Sequence, residues 1–215
     1  MKSTQVESHN SKESLLDKLS KLIAGFGMEN LSITCAGGKS FVDIYNTMLP
    51  LLSNYPCMLL DERLVSLSDY RSNRFSIRKD YVNFQCCLLN NLTKKEVYNN
   101  LDRLNKKCES ILSSSRNICF MGVGEDWHVA SLFEQMNLRR KNKYVAIIKR
   151  PKENFERFTL THESLLLFDI VFIVIRKGKE SIIENIGSPP VGSQFYKFLS
   201  DPKRRSKIHI FYLND

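Results

Sequence analysis

His128 is the residue of this sequence with the widest chemical reach. It lies in FMGVGEDWHVASLFEQ, residues 120 to 135, just behind Gly122, Gly124, Glu125, Asp126 and the chain's single tryptophan, Trp127. Imidazole titrates near neutrality and takes a proton from water when a carboxylate orients it and stabilises the cation formed. Asp126 and Glu125 are both placed to be that carboxylate. A lone histidine has an ordinary structural reading too. What favours chemistry is its position after a Gly-x-Gly turn that closes an apolar run, where sites form in α/β proteins.

Two further segments hold groups suited to an anion. In AGGKS, residues 36 to 40, Gly37 and Gly38 permit backbone angles that turn N–H groups toward a ligand at a helix start, and Lys39 and Ser40 add charge and a hydroxyl. The spacing is not that of a P-loop, and a tight strand-to-helix turn explains the glycines equally well. Asp61, Glu62 and Arg63 set two acids beside a fixed cation. Arg63 can hold a phosphate or carboxylate while the acids bond sugar hydroxyls or position the guanidinium; a structural ion pair explains the same trio. In RSNRF that follows, Ser72 and Asn73 either order this loop or touch ligand. His162, after Thr161 in FTLTHESLL, reads as a capping or surface residue, and His9 and His209 stand outside any motif.

The elements that must position these residues follow from periodicity. Leu15, Leu16, Leu19, Leu22, Ile23 and Phe26 fall at helical spacing, with Ser11 or Ser14 as N-cap and Gly27 as stop. LSITCAGG (31 to 38) is a strand ending in glycines, followed by a helix face of Phe41, Ile44, Tyr45, Met48 and Leu49. PCMLLDE (56 to 62), RNICFMGVGED (116 to 126), YVAIIK (144 to 149) and FDIVFIVIR (168 to 176) are further strands, HIFYL (209 to 213) is a candidate last one, and residues 92 to 112 form one long helix. Apolar runs alternating with amphipathic helices predict a single α/β domain spanning 1–215, a three-layer αβα arrangement around a mostly parallel, Rossmann-like sheet. Residues 1–13 are expected as a flexible polar N-terminus. The loops AGGKS, DER and GVGEDWH are expected to meet in one crevice outside the strand ends.

A chain of 215 residues, 42% hydrophobic and 26% charged, suits one domain of this kind. Its formal net charge of +9 leaves a polyanion, a membrane surface or a small anionic substrate open. The densest basic run, PKRRSK at 202 to 207, reads as a solvated segment without the patterns of a nucleic-acid module, so no nucleic-acid partner is expected. Six cysteines without a CxxC predict reduced thiols and no metal site. The polar opening residues lack a signal-peptide core and no apolar run reaches a membrane span. A cytoplasmic protein without membrane contact is the expectation.

Taken together, AGGKS, DER, the following SN, GVGEDWHVASLF and RFTLT resemble the 6-phosphogluconolactonase family, which shares its fold with the glucosamine-6-phosphate deaminases. The similarity runs from the first glycine turn to the strand at 168 to 176. The deaminase branch reads DEY where this chain has Asp61-Glu62-Arg63, and places Asn-Glu-Pro after its histidine where this chain has Val129-Ala130-Ser131-Leu132-Phe133. The resemblance implies hydrolysis of 6-phosphoglucono-δ-lactone, in the oxidative pentose phosphate pathway, by a monomer or homodimer with no cofactor or metal. His128 would activate water and Asp126 orient it. Asp61, Glu62, Arg63, Asn73, the turn at 37 to 40 and Lys179 would bind the phosphorylated sugar lactone, with backbone N–H groups around Gly122 and Gly124 at the oxyanion. Three positions depart from the family pattern: Lys39-Ser40-Phe41 stands in place of Ser-Thr-Pro, the ungapped lysine position falls on Glu180 with Lys179 one residue away, and Trp127 replaces glycine. A degenerate sugar-phosphate-binding relative and a deaminase-type isomerase are the alternative readings.

Overall fold

Strands buried at nearly every successive residue need cover on both faces, and four such strands set the architecture here. The computed structural model describes residues 5–27, 29–37, 41, 44–45, 48, 55–80, 88–89, 92–114 and 116–214. In chain order its elements are β1 (Val6–His9), α1 (Lys12–Phe26), β2 (Leu31–Cys35), β3 (Cys57–Leu59), β4 (Asp61–Arg63), α2 (Asn73–Asp80), α3 (Lys94–Asn99), α4 (Leu101–Ser114) and β5 (Arg116–Met121). They continue as β6 (Asn137–Lys141), β7 (Val145–Lys149), β8 (Arg157–Leu160), α5 (His162–Leu165), β9 (Ile170–Arg176), α6 (Glu180–Asn185), α7 (Gln194–Ser200) and β10 (Lys207–Leu213). The central sheet has the order β1-β10-β9-β5-β2-β3, and every neighbouring pair is parallel. β2, β3, β5 and β9 are buried along nearly their whole length. The expected α/β domain with a mostly parallel sheet is present.

The chain order reverses at β2: β3 lies on one side of it and β5 on the other. Such a switch point opens a crevice at the carboxyl ends of the two strands. Gly37 follows β2 and the GVGEDWH loop follows β5, so the switch places both at one opening. Below it, Phe41, Tyr45, Phe120, Phe172 and Phe211 form a chain of ring contacts through the core.

Four expectations need correction. The strand at 56 to 62 serves two sheets: Leu60 donates to Cys35 O at 2.9 Å in the central sheet, and its own carbonyl accepts from Leu160 N at 3.0 Å. The chain beyond Leu60 therefore enters a second, antiparallel sheet, β4-β8-β7-β6. YVAIIK belongs to that sheet as β7. Its links to β6 and β8, residues 142–144 and 150–156, are shorter than the dozen or so residues a parallel crossover needs. The helix expected over 92 to 112 breaks at Asn100, whose backbone N–H and side-chain Nδ2 both donate to Glu96 O, at 3.0 and 2.8 Å. Residues 1–13 are not all tail: β1 pairs with β10, His9 is buried against Phe211, and Ser11 caps α1. Of the six cysteines, Cys35, Cys57, Cys108 and Cys119 are buried and form no disulfide among the described residues, while Cys86 and Cys87 lie outside the described residues.

Glu62 fixes the corner where the chain changes sheets. It is fully buried, and Oε1 accepts from Arg63 N and Asn73 N, both at 2.7 Å. Oε2 accepts from Ser72 Oγ at 3.0 Å, Arg74 N at 2.9 Å and Arg74 Nε at 3.0 Å. The carboxylate so caps the first turn of α2, where backbone N–H groups lack helical partners. Its expected place on a sugar hydroxyl is thereby corrected, because both oxygens are saturated inside the fold. Glu62→Ala would strand the Arg74 cation, itself buried, and should cost about 3–5 kcal/mol in urea unfolding.

Candidate active site

Beyond β5 the chain doubles back in a compact loop. Val123 bridges Val129, and Val129 bridges Leu132. Trp127 N–H donates to Gly124 O at 2.9 Å, and Gly124 N–H to His128 O at 3.0 Å. That last bond corrects one expectation: Gly124 N–H is engaged within the loop and is not free for an oxyanion. The glycine serves another purpose. A Cβ at position 124 would stand 2.1 Å from both Cε1 and Nδ1 of His128 and 2.8 Å from Asp126 Oδ1, so glycine alone leaves room for the imidazole. At Gly122 a Cβ would meet nothing nearer than Phe41 Cε2 at 3.9 Å.

His128 Nδ1 is hydrogen-bonded to Asp126 Oδ1. An ionised carboxylate only accepts, so Nδ1 carries the proton and Nε2 is left with the free lone pair. The other carboxylate oxygen accepts from Arg150 Nη2 at 2.9 Å. Partial burial opposes the charge on Asp126, but the His128 hydrogen bond, the imidazole charge and Arg150 outweigh it and hold its pKa below the ordinary value. Phe133 completes the group. Its ring centroid is 4.4 Å from that of His128, with the guanidinium carbons of Arg150 and Arg157 at 4.4 and 5.3 Å from the ring centre.

The other predicted loops meet this one through side chains. A Cβ on Gly37 would fall 2.0 Å from Asn73 Cγ, so the first glycine turn lies directly against Asn73. Gly38, Lys39 and Ser40 lie outside the described residues. Asn73 Nδ2 donates to the Asp61 carbonyl at 2.9 Å and to Asp61 Oδ1 at 3.2 Å. Asp61 Oδ2 accepts the hydroxyl of Ser131 at 2.5 Å, three residues beyond His128. Arg63 lies opposite Arg157 in the β4–β8 register, so the two guanidinium stems leave the same face of the small sheet. Arg157 is held by Glu153 at 2.6 and 2.8 Å, whereas among the described residues the Arg63 guanidinium makes one hydrogen bond, to Arg71 O at 2.7 Å, and has no carboxylate partner. Lys179 Nζ donates to Val123 O at 3.3 Å. Glu180 turns instead toward Gly178 N and Tyr212 Oη, at 2.8 and 3.0 Å. The lysine, not its neighbour, reaches the histidine loop.

Trp127 has φ +59° and Ala130 has φ +52°. Both are left-handed conformations that cost roughly 1–2 kcal/mol in a residue with a side chain. The indole is supported by stacking on Phe195, centroid to centroid 5.9 Å, and Trp127 O accepts from Phe195 N at 3.0 Å. Sequence reasoning missed Arg150, Phe133 and Phe195 as parts of this site. Arg150 directly follows β7, and only the antiparallel sheet brings that strand end here. His162, paired with Asp201 Oδ2 at 2.9 Å, begins α5 behind its Thr161 cap. Among the described residues no group of three or more His, Cys, Asp or Glu side chains is arranged to hold a metal, and no helix is long and apolar enough to cross a membrane.

A family model described as glucosamine-6-phosphate isomerases/6-phosphogluconolactonase matches residues 4–197. No curated protein matches the sequence. Among solved structures the fold is similar to a 6-phosphogluconolactonase from Shewanella baltica, with TM-score 0.71, 17% identity and 98% of each chain covered. It is also similar to the 6-phosphogluconolactonase from Trypanosoma cruzi, with TM-score 0.73, 18% identity and coverage of 97% of this chain and 94% of that one. The 6-phosphogluconolactonase from Thermotoga maritima is similar as well, at TM-score 0.70 and 17% identity, with 99% of this chain and 100% of that one covered. At such identities the likeness is one of fold.

Two outcomes follow from the loop geometry. Gly124→Ala should lower stability by about 1–3 kcal/mol in thermal unfolding through the clash with His128, whereas Gly122→Ala should leave it nearly unchanged. Because the folded pKa of Asp126 is depressed, its contribution to stability is present above the ordinary carboxylate range and lost as pH falls through the folded value. Asp126→Asn should therefore flatten that part of the acid limb in a plot of unfolding free energy against pH, and an unchanged limb would contradict the assignment.

Proposed function

The chain belongs to the glucosamine-6-phosphate isomerase/6-phosphogluconolactonase family, and we propose that it hydrolyses 6-phosphoglucono-δ-lactone to 6-phosphogluconate with His128 as general base. The observation that carries this reading is the tautomer: with Nδ1 committed to Asp126, Nε2 is the basic atom. It takes a proton from water as the oxygen attacks the lactone carbonyl. The tetrahedral intermediate then collapses, the ring C–O bond breaks, and the imidazolium returns the proton to the departing ring oxygen. Asp126 keeps the ring oriented and stabilises the imidazolium, the part a hydrogen-bonded carboxylate plays beside a catalytic histidine, although here the carboxylate is about half exposed.

Phosphate recognition falls to Arg63, whose guanidinium has no carboxylate partner among the described residues, and to the turn at 37 to 40. Lys179, held over the Val123 carbonyl, supplies positive charge near the reacting carbonyl. Asp61 and Asn73 act by building the wall rather than by touching sugar, since both are buried and bonded to one another. No metal or organic cofactor enters this reaction. The proposed setting is a cytoplasmic monomer or homodimer, acting on a small sugar phosphate and on neither nucleic acid nor membrane.

In an assay coupled to 6-phosphogluconate formation, purified protein should accelerate lactone decay well above its spontaneous rate. His128→Ala should lower kcat by roughly 10²–10⁴-fold, while Arg63→Ala should act mainly on KM. Ammonia release from glucosamine-6-phosphate would instead support the deaminase reading, and binding of 6-phosphogluconate without turnover would support a degenerate relative in which Trp127 has closed the site to chemistry.

A further inference from the structure

A cavity of about 1240 Å³ lies along β1 and the first residues of β10. β10 is separated from β5 by β9, and the cavity begins at the amino end of β10, whereas the His128 crevice opens at the carboxyl ends of β2 and β5. None of the site residues around His128 named above lines the cavity. Four cations, Lys18, Arg204, Arg205 and Lys207, line it with a single carboxylate, Glu7. Lys18 pairs with Glu7 at 2.9 Å and Arg205 with Asp169 at 3.2 Å. Arg204 and Lys207 have no carboxylate partner among the described residues.

Arg204 is the more telling of the two. Its guanidinium is half-buried and donates to backbone carbonyls, to Ser206 O at 2.7 Å and Leu199 O at 3.3 Å. Burial pushes its pKa down, as expected of a cation held without a counter-ion. His209 in the same wall is pushed down by burial, then by Lys207 and Lys18, against an opposing effect from Glu7. Ser206 also lines the cavity; it is only 6% exposed, and its hydroxyl has no hydrogen-bond partner among the described residues. Buried polar atoms left unpaired are uncommon and mark a place where a partner belongs.

We propose that this cavity binds a small oligophosphate, a molecule bearing two or more phosphate groups whose oxygens take the Arg204 and Lys207 cations and the Ser206 hydroxyl. Two uncompensated cations in a space this large call for more than one anionic group. The recessed hydroxyl favours a compact terminal phosphate over the continuous backbone of a nucleic acid, whose phosphates track exposed charge. The lining also includes the apolar side chains of Val6, Leu199 and Ile208, against which an attached organic group would lie.

The test is an NMR titration of the full chain with tripolyphosphate at low ionic strength. It follows the ring resonances of the four histidines, assigned by single His→Gln variants. A saturable shift of His209 with His128 unmoved is expected. Lys207→Glu, at an exposed position, should weaken binding by about tenfold or more, and Ser206→Ala should weaken it without changing the circular dichroism spectrum. A shift at His128 in place of His209, no saturable shift, full binding by Lys207→Glu and Ser206→Ala, or tighter binding of a short single-stranded oligonucleotide than of tripolyphosphate would each overturn the proposal.

Discussion

Asp61 accepts the Ser131 hydroxyl on Oδ2 at 2.5 Å and the Asn73 amide on Oδ1 at 3.2 Å, with Arg157 Nη1 at 3.7 Å from Oδ2. These contacts join the three loops that no stretch of backbone connects directly. Ser131 belongs to the His128 loop, Asn73 opens α2 and packs on Gly37, and Arg157 lies on β8. In a low-dielectric setting a carboxylate so surrounded is strongly held, while loss of one partner leaves a buried charge exposed to the full cost of desolvation. The Ser131 backbone N–H, which donates to Thr159 Oγ1 at 3.1 Å, fastens the same point to the small sheet. The position of the imidazole is thus set from beneath, by polar groups three residues downstream of it.

The loop above this tie is strained on both sides of His128. Trp127 and Ala130 both occupy left-handed backbone angles, and their combined cost is of the same size as the supports around them. An aromatic pair such as Trp127–Phe195 contributes about 0.5–1.5 kcal/mol beyond area burial, and each internal backbone bond a similar amount. The strain therefore persists because the chain must turn sharply twice, once to face His128 toward Asp126 and once to send Ser131 down to Asp61. Val129, fully buried between the two turns, anchors the reversal.

Much of this was legible in the residue pattern. The β2 and β5 runs, their glycine endings and the helix at 12–26 follow from apolar periodicity, and the Gly-x-Gly-Glu-Asp spacing was enough to pair His128 with a carboxylate. What periodicity could not convey was sheet membership. A run such as YVAIIK is apolar along its length whether it sits in a parallel or an antiparallel sheet, and only the short links to its neighbours decide. With β7 assigned to the wrong sheet, Arg150 had no reason to approach Asp126. The function of Glu62 was hidden for a related reason: alternation along β4 sends it to the face opposite Asp61 and Arg63, into the start of α2. Gly124 was legible as a turn residue, but its purpose, clearance for an imidazole four positions later, exists only in three dimensions.

Arg150 changes how the acid and base are held. His128 bonds Asp126, Asp126 bonds Arg150, Arg150 lies over Phe133, and Phe133 packs against His128. The contacts close a ring of four side chains, of which Phe133 is buried and packed on Ala146 and Ile148. Taken singly, a partly exposed ion pair or cation–π contact contributes at most about 1 kcal/mol, since the ordering of flexible side chains offsets much of the attraction. In a closed ring each side chain is ordered once and serves two contacts. A carboxylate bonded to His128 alone could rotate about its own axis; with Arg150 on the second oxygen and both cation and imidazole referred to one fixed aromatic ring, rotation of Asp126 would break two contacts together. The consequence is a base whose proton-bearing nitrogen stays committed, with the opposite nitrogen left to act.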